Sequence, residues 1–305
     1  MDKSVGIIGT GSCLPEKIVT NYDLEKIMDT KHEWIVDRTG IERRRIADKS
    51  TASSDLGVKA AEIALEDAGV TAEEIDLIIT ATLSPDMPFP STACVIQDKL
   101  GAFNAFAFDL NAACTGFLYS LSTAAAFIKS GQAKKVLVVG VEVLSKIVNW
   151  NDRKTAVLFA DGAGAAVVTE TEEENAGLLS TALGADGTGW KFLYMPAGGT
   201  RMPATYETVE KDLHTIVMDG SEVFKFAARK MAEVSLEAIE KAGLKLEDVD
   251  YLVPHQANVR IIKNAAKRLK IDMDKVYLNI HDYGNMSAAS VPIALDEAYR
   301  KGSMK

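Results

Sequence analysis

Glu66-Asp67-Ala68-Gly69-Val70-Thr71-Ala72-Glu73-Glu74-Ile75-Asp76-Leu77-Ile78-Ile79-Thr80 reads as the end of a helix, a glycine stop, a short turn and a buried strand. The chain repeats that pattern in Glu240-Lys241-Ala242-Gly243-Leu244-Lys245-Leu246-Glu247-Asp248-Val249-Asp250-Tyr251-Leu252-Val253-Pro254. Upstream of each lies an amphipathic helix rich in Ala and Glu, Asp55 to Asp67 and Glu222 to Lys241. Downstream of each, after another strand, a small-residue loop opens a helix: Ala112-Ala113-Cys114-Thr115-Gly116 and Tyr283-Gly284-Asn285-Met286-Ser287-Ala288-Ala289-Ser290. The matching order predicts an α/β fold made of duplicated halves with mixed sheets, residues 1–175 and 176–305. The division follows a strand-like run, Ala163 to Val168, and an acidic run from Glu170 to Asn175 that reads as a solvated turn. Packed together, the halves bring corresponding loops to one cleft, with Cys114 and Asn285 as facing, pseudo-equivalent residues.

The 305 residues are 47% hydrophobic and 25% charged, the composition of a globular enzyme with a large core. No apolar stretch approaches the roughly 20 residues of a membrane span, and no signal peptide pattern opens the chain, so a cytoplasmic location is expected. Cys13, Cys94 and Cys114 make no paired framework, and no ligand spacing supports a metal site. A formal charge of -9 argues against nucleic-acid binding.

Cys114 sits where the apolar strand pattern of Ala105 to Leu110 gives way to a helix expected from Gly116 to Lys129. The N–H groups and dipole at that helix start are expected to favour a thiolate. His255 follows Tyr251-Leu252-Val253-Pro254 at the C-terminal end of an expected strand, where ligand-facing loops of α/β folds depart; a structural, strand-capping histidine is the alternative. Gly284-Asn285 has the chemistry of a plain turn, and it is the match to Cys114 that raises Asn285 to a candidate. A thiol, an imidazole and a neutral amide together offer a nucleophile and two donors without a carboxylate, which suits thioesters. The cysteine takes an acyl group, a bound malonyl thioester loses CO2 while the donors stabilise its enolate, and the carbanion attacks the acyl-cysteine.

At these residues the chain resembles the thiolase-fold condensing enzymes, specifically the β-ketoacyl-acyl-carrier-protein synthase III family. The resemblance runs from Gly6-Ile7-Ile8-Gly9-Thr10-Gly11 to the last residue. It is most specific over Asp29 to Ile41, Ala112 to Phe117, Val253 to Asn258 and Tyr283 to Ser290. It implies a layered α-β-α-β-α arrangement and a decarboxylative condensation of an acyl-coenzyme A primer, acetyl or short and branched, with malonyl-acyl carrier protein. Cys114 would be the acylated nucleophile, with His255 and Asn285 supporting decarboxylation. Trp34 and Arg153 would stack the adenine of coenzyme A, with Arg38 near its phosphates and Asn258 alongside. Phe89 would reach across a homodimer interface to the partner's acyl pocket. No cofactor is implied, coenzyme A entering only as a thioester substrate.

Arg260, Lys263, Lys267 and Lys270 form one stripe of the next helix, opposite Ile261, Ile262, Ala265, Ala266 and Leu269. With Arg268 this stripe is a candidate dock for acidic acyl carrier protein; a solvated face is the bland alternative. The resemblance also implies a final strand pair whose Gly-rich loop supplies an oxyanion donor, and the sequence stops at Lys305 before such a segment.

Other readings are weaker. Gly6 to Gly11 lacks the third-glycine spacing of a dinucleotide loop, and Asp161-Gly162-Ala163-Gly164 reads as a tight turn between strands. A papain-like hydrolase fits the Cys-to-His separation but lacks the motif around the cysteine. A polyketide-type synthase or a truncated, impaired scaffold are the remaining alternatives. The primer is not legible, because one methylene changes binding by only about 1 to 3 kcal/mol.

Overall fold

The computed structural model describes residues 4–171 and 176–304. Glu172 to Asn175, part of the expected solvated turn and of the division between halves, lie outside the described residues.

Five strands form one mixed sheet: β1 (Ser4–Cys13), β2 (Leu77–Ala81), β3 (Phe106–Leu110), β4 (Lys135–Val143) and β5 (Asp161–Thr171), in the order β1-β5-β4-β2-β3. The pairs β2 with β3 and β2 with β4 are parallel, while β5 runs antiparallel to both β4 and β1. Alternation along the strands gives the sheet two apolar faces. Ile78, Leu137 and Val139 pack against the helix Ser53–Ala68 through Leu56, Ala60, Ala61 and Ala64. Leu77, Ile79, Val136 and Val138 pack on the other side against Phe117, Ala124 and Ile128 of a helix running Gly116–Lys129, as expected.

The repeat is visible down to its caps. Gly69 ends the helix Ser53–Ala68 at φ 63 with Gly69 N–H donating to Glu66 O and Val70 N–H to Leu65 O, at 3.1 and 3.0 Å. After the helix Gly220–Lys241, Gly243 sits at φ 70 with Gly243 N–H donating to Glu240 O and Leu244 N–H to Ile239 O, at 3.0 and 3.1 Å. Both are left-handed glycine stops with the same paired bonds. The second half then differs in extent: where the first half builds β2, the second has one parallel bridge, Leu252 to Val276, beside a short ladder of Leu193–Tyr194 with Val217–Met218.

Asp161 to Gly164 is the start of β5 and not a turn. The glycine is there for space: a Cβ on Gly164 would lie 2.7 Å from Pro292 Cβ, and one on Gly140 of β4 only 2.5 Å from Ala288 O. These bare strand positions seat the turn of 285–290 and the helix after it, Ser290–Arg300, directly on the first half's sheet.

Candidate active site

The short turn Ala113–Thr115, which presents Cys114 before the helix Gly116–Lys129, packs against Ser287–Ala289, which precedes the helix Ser290–Arg300. The two are built alike. Asn111 Oδ1 accepts from Ala113 N–H at 3.4 Å, and Asn285 Oδ1 accepts from Ser287 N–H at 2.9 Å. Ala113 and Ser287 both carry positive φ, 46 and 44. The counterpart of Asn285 is therefore Asn111, and that of Cys114 is Ala288, which corrects the expected pairing of Cys114 with Asn285. The two residues nonetheless come to the same place, because the paired turns meet.

Asn285 is held at its backbone as well: its N–H donates to Leu158 O and its carbonyl accepts from Ala160 N–H, both at 2.9 Å. With Oδ1 occupied by Ser287, the amide Nδ2 is the end left without a partner among the described residues. His255 follows the bridge at Leu252, and its Nδ1 lies 2.5 Å from Ser290 Oγ at the start of the last helix. All three expected residues thus meet around the turn 285–290.

Cys114 and His255 are both half-buried, and the protein packed around them governs their ionisation. Burial pushes the Cys114 thiol up to about 11. It is therefore a neutral thiol at rest, against the expectation of a thiolate: desolvation outweighs the helix terminus. Burial lowers His255 to about 4, so the ring is neutral.

Sequence reading missed a fourth group. Glu142, fully buried near the end of β4, accepts from Ser84 Oγ at 2.5 Å, from the backbone N–H groups of Leu83 and Ser84 at 3.2 Å, and from Ala288 N–H at 3.5 Å. Burial raises it to about 7, and its charge in turn raises the Cys114 pKa. The Ser287 hydroxyl favours the charged form of both the thiol and Glu142, yet makes no hydrogen bond of ordinary geometry with either. A lone glutamate inside the apolar run Val136 to Val143 was the available signal.

A second cluster gathers the expected coenzyme A residues. The helix His32–Thr39 carries Trp34, 37% exposed, and Arg38. The Arg153 guanidinium lies 5.1 Å from the Trp34 ring centre and is tethered to Asp29 O at 2.8 Å. Asn258 donates from Nδ2 to Arg38 O at 2.9 Å, and its Oδ1 accepts from Arg260 N–H at 2.8 Å to cap the helix Val259–Leu269. Both ends of Asn258 are thus engaged by protein. On that helix the apolar residues are buried as expected, and Arg260, Lys263, Lys267 and Arg268 are exposed with no ion-pair partner among the described residues. Phe89 stands apart, 84% exposed.

Among the described residues no group of His, Cys, Asp or Glu is arranged to hold a metal ion, and no helix is long and apolar enough to cross a membrane.

Residues 108–187 match the family described as 3-oxoacyl-[acyl-carrier-protein] synthase III, and residues 239–305 match its C-terminal part. The β-ketoacyl-[acyl-carrier-protein] synthase III of Caldanaerobacter subterraneus is 61% identical over 302 residues, covering 99% of this chain and 91% of that protein. The protein of the same name from Clostridioides difficile is 58% identical over 305 residues, with 100% and 92% covered. The crystal structure of 3-oxoacyl-[acyl-carrier-protein] synthase III from Aquifex aeolicus superposes with a TM-score of 0.90 at 50% identity, covering 99% of this chain and 92% of that one.

Proposed function

The chain belongs to the 3-oxoacyl-[acyl-carrier-protein] synthase III family, the acyltransferases whose condensation starts fatty acid synthesis, and on that premise we propose how its own residues perform the reaction. Cys114 attacks the primer thioester and carries the acyl group. The developing oxyanion is met by backbone N–H groups at the helix start, which lack intrahelical acceptors. His255 and the Nδ2 end of Asn285 then hold the thioester oxygen of the malonyl group as CO2 leaves, and the carbanion attacks the acyl-Cys114 carbonyl. The observation that carries this reading is the turn 285–290, which presents Asn285 and orients His255 while packing against the turn of Cys114.

Trp34, Arg38 and Arg153 bind coenzyme A. Arg153, now lying over the indole, swings out so that the purine is held between guanidinium and ring. Asn258 contributes by fixing Arg38 against the next helix. The exposed stripe of Arg260, Lys263, Lys267 and Arg268 receives acyl carrier protein, and Phe89 contributes to a homodimer interface, its exposure being costly in a lone chain. The division into halves 1–175 and 176–305, a cytoplasmic location and independence of any cofactor belong to the same reading.

Incubation with radiolabelled acetyl-coenzyme A tests it. Stable protein label that disappears in Cys114→Ser is the expected result, and no label on the wild type overturns it. Retention of label in Cys114→Ser would move the nucleophile elsewhere.

A further inference from the structure

Ser290, whose hydroxyl meets the His255 ring, is fully buried at the first position of the last helix. Its hydroxyl has one proton and two acceptors in reach: Ser287 O at 3.0 Å and His255 Nδ1 at 2.5 Å. The backbone N–H of Gln256 donates to the same oxygen at 3.4 Å. A contact of 2.5 Å between Oγ and Nδ1 requires a proton between them. It comes from the serine or from the ring, and the choice fixes which ring nitrogen is bare.

We infer that Ser290 is a positioning residue whose single hydroxyl proton selects the tautomer of His255. With the proton on Ser287 O, the serine oxygen accepts from Nδ1–H and Nε2 is a bare acceptor. With the proton on Nδ1, Nε2 carries a hydrogen and is a donor. In the free enzyme the first arrangement prevails, because the hydroxyl then makes three hydrogen bonds, to Ser287 O and from Nδ1–H and Gln256 N–H, whereas the second makes two and leaves Ser287 O with the Ser290 backbone N–H alone.

Each tautomer suits one half of the reaction. Cys114 is a neutral thiol at rest, so its attack on the primer needs an acceptor. The S–H bond breaks as sulfur attacks the thioester carbonyl; the proton passes to Nε2 and then to the coenzyme A sulfur as its C–S bond breaks. Thiol and acyl-coenzyme A give acyl-Cys114 and coenzyme A thiol, and the ring returns unchanged. The condensing half instead builds negative charge on the malonyl thioester oxygen and needs Nε2–H. The ring, having released its proton, exchanges with water to the donor form, which the serine supports by turning its proton to Nδ1. This rests on the assignment of His255 to the reacting thioester, made above.

The chain has four histidines, His32, His214, His255 and His281, so two-bond 15N–1H correlation spectra of 15N-histidine-labelled protein resolve each ring. The wild type is expected to carry its His255 proton on Nδ1. Ser290→Ala moves it to Nε2, the form free imidazole prefers, and Ser290→Thr restores Nδ1. In Ser290→Ala, Cys114 acylation slows about tenfold relative to malonyl decarboxylation, and Ser290→Thr recovers the ratio. A wild-type ring protonated on Nε2, a tautomer unchanged in Ser290→Ala, or equal loss in both half-reactions overturns the inference. The wild-type spectrum alone decides if the alanine variant does not fold. His255→Ala separates the two readings: unchanged half-reactions there would remove His255 from the chemistry, while the spectra report on Ser290 regardless.

Discussion

Asn285 holds the backbone N–H of Ser287 at 2.9 Å through Oδ1, so only its Nδ2 end is left to meet a substrate. Asn285→Asp keeps the turn contact and removes the donor. Malonyl decarboxylation is expected to fall about 100- to 1000-fold, the usual loss for one oxyanion donor, while acylation of Cys114 by acyl-coenzyme A persists. Equal loss of both half-reactions, measured separately with labelled substrates, would refute the assignment.

Glu142 offers a pH signature. Its pKa rises in the fold from an ordinary 4.5 to about 7. The unfolded chain therefore releases its proton first as pH rises, so folding stability is intact below 4.5 and is lost between 4.5 and 7. The loss amounts to about 3 kcal/mol at most. Thermal unfolding at pH 4.5 and pH 8 should show this decline in the wild type and a smaller one in Glu142→Gln.

The same substitution removes a negative charge that raises the Cys114 pKa. Alkylation of Cys114 by iodoacetamide at pH 9 is expected to be faster in Glu142→Gln than in the wild type. A slower or equal rate would mean the carboxylate acts chiefly through packing.

Replacing Arg153 by Ala removes one face of the proposed adenine sandwich. The KM for acyl-coenzyme A should rise about 5- to 30-fold, equivalent to about 1 to 2 kcal/mol, with kcat changed little. A fall in kcat at constant KM would place Arg153 in the chemistry instead.

Charge reversal at Arg260 and Lys267 should lower kcat/KM for malonyl-acyl carrier protein about tenfold at low salt, with the effect fading as salt is added. Acylation by acyl-coenzyme A serves as the internal control. Unchanged carrier-protein kinetics at low salt would leave the stripe a solvated face.

What the sequence made legible was local. The helix from Gly116 to Lys129, the glycine stops at Gly69 and Gly243 and the buried face of Val259–Leu269 depend on neighbours within a turn or two. The errors arose where distant segments decide. Asn111, and not Cys114, matches Asn285, because both turns are defined by an asparagine contact two residues ahead that no strand-and-helix pattern reveals. The ionisation of Cys114 is not legible in sequence, because the helix dipole is visible there while the packing that desolvates the sulfur is not. Glu142 and Ser290 escaped for the same reason: the groups that give them meaning are Ala288 and His255, brought close only by the fold.

Ala113 and Ser287 are held at φ 46 and 44, conformations costing roughly 1 to 3 kcal/mol each outside glycine. They behave as two cocked springs, each latched by the other half of the molecule. Slackening that latch, by heat, denaturant or a Cβ at Gly140, releases both at once and scatters the nucleophile from its donors. Inactivation should run ahead of global unfolding, so that the enzyme falls silent while most of its helices still stand.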